Sequence, residues 1–152
     1  MTNKDRVKLL ADALRSGKYK QGMGHLKYTW GEDDVKYCCL GVACEVAISN
    51  GVAVKQTHTS HEEEGHRYGI YDDEVGDGIY DDEVSVLPPS VRDWYGFDSA
   101  NPSLQHYDEG EKEYITECAT TINDVGDFDF NEIADMFEYT FIEREKENEI
   151  IP

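Results

Sequence analysis

Charge is segregated along this chain, and the segregation limits what can fold together. Residues 1–55 hold nine Lys and Arg against six Asp and Glu, while residues 56–152 hold five against 27. The first part carries +3, the second −22, and the whole chain −19. Repulsion on that scale opposes a compact state and exceeds what solubility needs. The acidic half then reads either as a solubilising coat or as an acidic interaction surface. Direct nucleic-acid binding through phosphates is excluded, as is adhesion to an anionic membrane. No apolar run reaches the 18 residues of a spanning helix. Met1 to Asp5 shows no apolar signal region, so the expected location is the cytoplasm.

Hydrophobic residues make up 39% of the 152, including ten Tyr, five Phe and two Trp, enough for one core. The expectation is a single α+β domain over residues 1–152, with a small antiparallel sheet packed by three or four helices. Val7, Leu10, Ala11 and Leu14 make one helical stripe between a cap at Thr2 or Asn3 and a stop at Gly17. Leu26, Tyr28 and Trp30 alternate as a strand, and Val35 to Cys38 can return as its hairpin partner. Leu40 to Ser49 reads as a buried helix closed by Asn50-Gly51. Further on, Ser90 can cap a short helix carrying Val91, Trp94 and Tyr95. Tyr114 to Ile122 shows helical periodicity, and residues 103–107 can add a strand. The last helix has Asp129 and Glu132 as a capping box and Phe130, Ile133, Ala134, Phe137 and Phe141 as its stripe. The expected core is Leu10, Leu14, Leu40, Val42, Trp94, Ile122, Phe130, Ile133 and Phe137. Residues 143–152 form a charged tail.

Residues 55–86 read as an insert. His58, His61 and His66 surround Glu62, Glu63 and Glu64, a composition that suggests a mobile surface loop over 56–67. A heptapeptide then occurs twice, at Gly69 to Val75 and Gly78 to Val84, nine residues apart. Two copies are too few for a solenoid, so a tandem duplication giving two acidic strands or loops is expected. The twelve residues from Asp72 to Glu83 fail as an EF-hand. Asp77 stands where that loop needs Gly, and Gly76 where it needs a ligand.

Cys38, Cys39 and Cys44 lie in one segment, with Cys118 far away. The vicinal pair does not match a zinc half-site, so apolar packing is expected and neither metal nor cofactor is assigned.

Two stretches resemble a recurring family of small uncharacterised proteins encoded by tailed phages and prophages: Leu14 to Tyr19 with Gln21-Gly22, and Tyr37 to Val42. Leu87-Pro88 with Val91 and Trp94, Asn101-Pro102, and Ile122 to Asp124 followed by Phe130, Ile133, Ala134 and Asp135 fit the same pattern. The resemblance spans most of the chain outside residues 55–85. It implies a phage origin and a life in the host cytoplasm, and supplies no activity or site residue.

Three functional expectations follow. The first is an anti-defence protein, not an enzyme, whose acidic surface imitates nucleic acid. Glu62, Glu63, Glu64, Asp72, Asp73, Glu74, Asp77, Asp81, Asp82 and Glu83 would occupy the basic nucleic-acid site of a host protein. A homo-oligomer is compatible with this reading. The second is a nucleotide-signal binder built on the basic turn from Arg15 to Gly24, using Arg15, Lys18, Tyr19, Lys20, Gln21 and Trp30. The third is a cysteine-dependent enzyme. Cys39 would be activated by a helix dipole, with Gln21 as oxyanion donor and His25 or His106 paired with Asn123 or Asp124.

Overall fold

A computed structural model describes the backbone of residues 1–30, 34–58, 65–70, 80–83 and 86–144. The architecture is α+β. The first helix, α1 (Asn3–Arg15), is fixed at its start by a reciprocal cap. Thr2 Oγ1 accepts the Asp5 N–H at 3.1 Å, and the Asp5 carboxylate accepts the Thr2 N–H at 2.9 Å. The expected stripe Val7, Leu10, Ala11 and Leu14 is its buried face.

Three strands follow: β1 (Lys20–Gln21), β2 (Lys27–Trp30) and β3 (Asp34–Tyr37). The expected hairpin is β2–β3, in the register Lys27↔Tyr37 to Trp30↔Asp34. The central helix α2 (Cys39–Ser49) buries nearly every residue from Cys39 to Ala47, as a helix apolar all round must. It lies so close to β2 that a Cβ on Gly41 would stand 1.7 Å from the Leu26 carbonyl oxygen. Only glycine fits there.

Strands β4 (Val54–His58), β5 (Gly65–Ile70) and β6 (Tyr80–Glu83) extend the sheet to six strands in the order β1-β3-β2-β5-β4, with β6 also on β5. One edge of β5 is shared. Its first residues meet β2 (Lys27↔His66), and its last meet β6 (Ile70↔Tyr80). All pairs are antiparallel except β1–β3, which is parallel. The His-rich segment is therefore not simply a loop. Residues 56–58 and 65–67 lie in strands, with His58 directly opposite His66. Alternating Gln56-Thr57-His58 suits a pleated ribbon, and the polar composition concealed it. Residues 59–64 lie outside the described residues.

The chain returns through α3 (Pro89–Tyr95), capped by Pro88 rather than Ser90. Proline's fixed φ suits the first helical position, and Pro89 takes it, leaving Ser90 one place inside. Gly96 ends the helix at φ +77°. Strands β7 (Ser103–Asp108) and β8 (Glu113–Cys118) then form a separate antiparallel hairpin. This corrects the helix expected over Tyr114–Ile122. Its first half, Tyr-Ile-Thr, is aromatic and β-branched and pairs as strand. Only α4 (Ala119–Asp124) is helical.

The last helix, α5 (Phe130–Glu138), carries the expected box, with Asp129 Oδ1 accepting the Glu132 N–H at 2.8 Å. It packs along α1 and widens into a π-helical turn over Tyr139–Glu143. Helix count is thus five among the described residues, above the three or four expected. Leu10, Leu14, Leu40, Val42, Ile122, Phe130, Ile133 and Phe137 are buried as expected, and Trp94 is the exception. Trp94 is half-buried beneath the Arg6 guanidinium, and Tyr95 takes the inner position, its hydroxyl donating to Ala43 O at 2.8 Å. Tail residues 145–152 lie outside the described residues.

Candidate functional site

The polar residues that the sequence distributes along the chain converge at the start of α2. Asn123, only 2% exposed on α4, is their centre. Its Oδ1 accepts the Cys39 N–H and one Gln21 Nε2 hydrogen, each at 3.2 Å. Its Nδ2 donates to Gly22 O at 2.7 Å and to Asp124 Oδ1 at 2.9 Å. Gln21 Nε2 also donates to Phe128 O at 3.0 Å, and Gly24 N–H to Asp124 Oδ1 at 3.1 Å. One side chain therefore joins the turn after β1, the first turn of α2 and the end of α4. These polar groups satisfy one another.

This junction brings together Gln21, Cys39, Asn123 and Asp124 of the cysteine reading, without the activated thiol. Cys39 is fully buried, and its Sγ donates to Ala119 O at 3.7 Å. Burial drives its pKa well above the ordinary thiol value, the reverse of the expected lowering by the helix dipole. Cys38 is pushed up to about 12 by the same desolvation, and Cys44 also rises. All three pack as apolar side chains, as expected. His106 is engaged elsewhere: its Nε2 meets Glu117 Oε1 across the hairpin at 3.1 Å, and its ring stands edge-on to Phe128. Cys118 differs from the rest, since Thr121 Oγ1 at 3.0 Å holds its pKa below the ordinary value.

Of the six residues of the nucleotide reading, Arg15, Lys18, Tyr19 and Gln21 are drawn into internal contacts. Arg15 reaches across to α5 and pairs with both Glu138 and Asp135. Lys18 lies over the Tyr19 ring at 5.4 Å, and Tyr19 stands edge-on to Tyr37 at 5.1 Å. Lys20 and Gln21 form β1, where Gln21 is turned to Asn123. Trp30 closes β2. A half-open cleft of about 400 Å³ lies elsewhere, lined by Thr2, Asn3, Val7, Tyr95, Gly96 and Phe141. Thr2 there serves the cap of α1.

Of the acidic set, Asp81, Asp82 and Glu83 lie on β6, the strand added to β5. Glu62, Glu63, Glu64, Asp72, Asp73, Glu74 and Asp77 lie outside the described residues. The two copies of the repeat do meet in the sheet, because Ile70 of the first pairs with Tyr80 of the second. Three further cations of the N-terminal half meanwhile have partners within the fold. Lys8 pairs with Asp12 and Glu138, Lys27 with Glu45 at 3.4 Å, and Arg6 donates to Trp94 O.

The sequence reading passed over the hairpin β7–β8. Tyr107 and Tyr114 face each other across it with ring centroids 5.3 Å apart, and Tyr139 stacks on Tyr114 at 5.2 Å. The signal was present in the tyrosines placed evenly about the turn Glu109 to Lys112.

Residues 2–141 match the family model described as a domain of unknown function, DUF8296. The chain belongs to that family. No curated protein and no solved structure matches it. Membership covers the insert and the hairpin alike, since both fall inside the matched range. Among the described residues, no helix is long and apolar enough to cross a membrane.

Proposed function

We propose that this DUF8296 protein acts by binding, as a phage-encoded accessory protein whose acidic insert occupies the nucleic-acid site of a basic host protein. The observation that carries the reading is the fate of the cations. Arg15, Lys8 and Lys27 are held by Asp135, Glu138, Asp12 and Glu45, so three of the nine cations of residues 1–55 serve internal pairs. The chain keeps a net charge of −19, which a basic partner site would neutralise. Asp81, Asp82 and Glu83 on a strand that pairs with β5 support a repeated carboxylate spacing, which a decoy of the phosphate backbone needs. The likeness to small phage proteins supports the host setting.

The test is substitution of Asp72, Asp73, Glu74, Asp81, Asp82 and Glu83 by their amides. Partner binding should be lost while the melting temperature stays equal or rises, because repulsion is relieved. Retained binding with all six carboxylates removed counts against the decoy.

A further inference from the structure

The hairpin β7–β8 stands outside the six-stranded sheet and, among the described residues, keeps one strand edge open. Gln105 N–H leaves the ladder and donates to Thr140 Oγ1 at 2.9 Å. In an antiparallel pair the bonded and non-bonded positions alternate, so Leu104/Glu117, His106/Ile115 and Asp108/Glu113 are the bonded pairs. Tyr107/Tyr114 is then a non-bonded pair, whose side chains come closest. The N–H and C=O of Tyr114 and Thr116 point away from β7, and among the described residues no strand pairs with that edge.

Beside the open edge lies an aromatic face. Tyr107 and Tyr114 are 51% and 56% exposed while in ring contact with each other. Tyr139 lies nearly parallel to Tyr114, at 8°, and is presented by the π-helical turn. Such turns are frequent at functional sites. In the turn that joins the two tyrosine-bearing strands Glu109 and Glu111 are exposed, without an ion pair among the described residues.

We propose that this hairpin docks an extended, Lys- or Arg-bearing segment of a partner protein, which adds as a strand along β8 and sets its cations against the tyrosine face. Strand addition supplies backbone bonds to Tyr114 and Thr116. Tyrosine rings and neighbouring carboxylates both select a cation. A second copy of this chain fits poorly in the register that bonds Tyr114 to Thr116. Pairing β8 with itself about Ile115 would set Glu113 opposite Glu117, in a chain already at −19. The hairpin belongs to a different sheet from β4, β5 and β6 of the insert, and the two proposals can fail independently.

The test uses the full chain and two fluorescein-labelled nonapeptides of equal charge, read by anisotropy at about 0.15 M salt, where surface attraction is largely screened. One alternates Lys with Thr; the other replaces the Thr residues by Pro, which cannot pair. The alternating peptide should bind at least tenfold tighter. Thr116→Pro should abolish that preference, since it removes an outward N–H while leaving the bonds to β7. Tyr107→Leu with Tyr114→Leu should weaken the alternating peptide about fivefold, whereas amides at positions 72–83 should leave the preference unchanged. Equal affinity for both peptides overturns the proposal, as does a preference that follows the insert and ignores Thr116. Dimers that disperse on Tyr114→Leu would assign the face to a second copy and overturn it too.

Discussion

Asn123 Oδ1 accepts the Cys39 N–H across 84 residues of sequence, at 3.2 Å and out of contact with solvent. The same side chain holds Gly22 O and Gln21, so the end of α4 fixes where α2 begins relative to the β1 turn.

Asn123→Ala should therefore be costly. It strands the Cys39 N–H and the Gly22 carbonyl in the interior, at about 1–3 kcal/mol for each unsatisfied group. A loss near 3 kcal/mol lowers the melting temperature by roughly 6–12 °C in a domain of this size. Thermal unfolding followed by circular dichroism reads it directly, and a shift under about 2 °C would refute the role given to Asn123.

Two glycines should respond very differently to alanine. At Gly41 the new Cβ would overlap the Leu26 carbonyl, backbone against backbone, so α2 must move off β2. The expected cost exceeds about 4 kcal/mol, among the largest single-residue effects. At Gly17 nothing lies within 4 Å, and only the φ of +76° is strained. That change should cost about 1 kcal/mol. Urea midpoints of the two variants give the comparison.

Thiol chemistry should separate one cysteine from three. Cys118 is half-exposed and its pKa is lowered by Thr121, so iodoacetamide at pH 7.5 should label it in the folded protein. Cys38, Cys39 and Cys44 are buried and should label only on unfolding. Mass spectrometry after limited alkylation distinguishes a single adduct from several.

The same burial sets a pH dependence. The Cys38 thiol ionises near 9.0 when free and is held up to about 12 in the fold, so the folded state retains a proton that the unfolded chain loses. Stability from this group is whole below pH 9 and declines as pH climbs from 9 toward 12. Cys39, Cys44 and Tyr95 shift in the same direction, also through burial. Urea midpoints should fall between pH 8.5 and 10.5, and a flat profile would contradict the buried placement of these groups.

Local signals carried much of this fold into view from the sequence. The two capping positions at Thr2 and Asp129, the stripe of α1 and the apolar run of α2 are decided within a few residues, and they folded as read. Errors arose where a distant partner decides. Tyr114 to Cys118 has a helical spacing of apolar residues, but β7 is present to pair with it, and pairing wins. The histidine segment looked like a loop because its strands gain their order from β2 and from each other. At the site the reach was similar. Gln21, Cys39 and Asn123 were singled out individually, yet only folding showed that they bond to one another and that burial, not the helix dipole, governs the thiol. Trp94 was placed inside on hydrophobicity alone, whereas Arg6 over its ring and the neighbouring Tyr95 set it at the boundary.

The most direct test of the binding account is a pull-down from bacterial lysate with the tagged chain and with its six-fold amide variant at positions 72–74 and 81–83. Each is washed through a salt gradient, with and without added duplex DNA. The account predicts that the wild-type chain retains a nucleic-acid-handling protein that steep salt releases and DNA displaces, and that the amide variant retains none. The same protein held by both chains, or held against excess DNA, would contradict it.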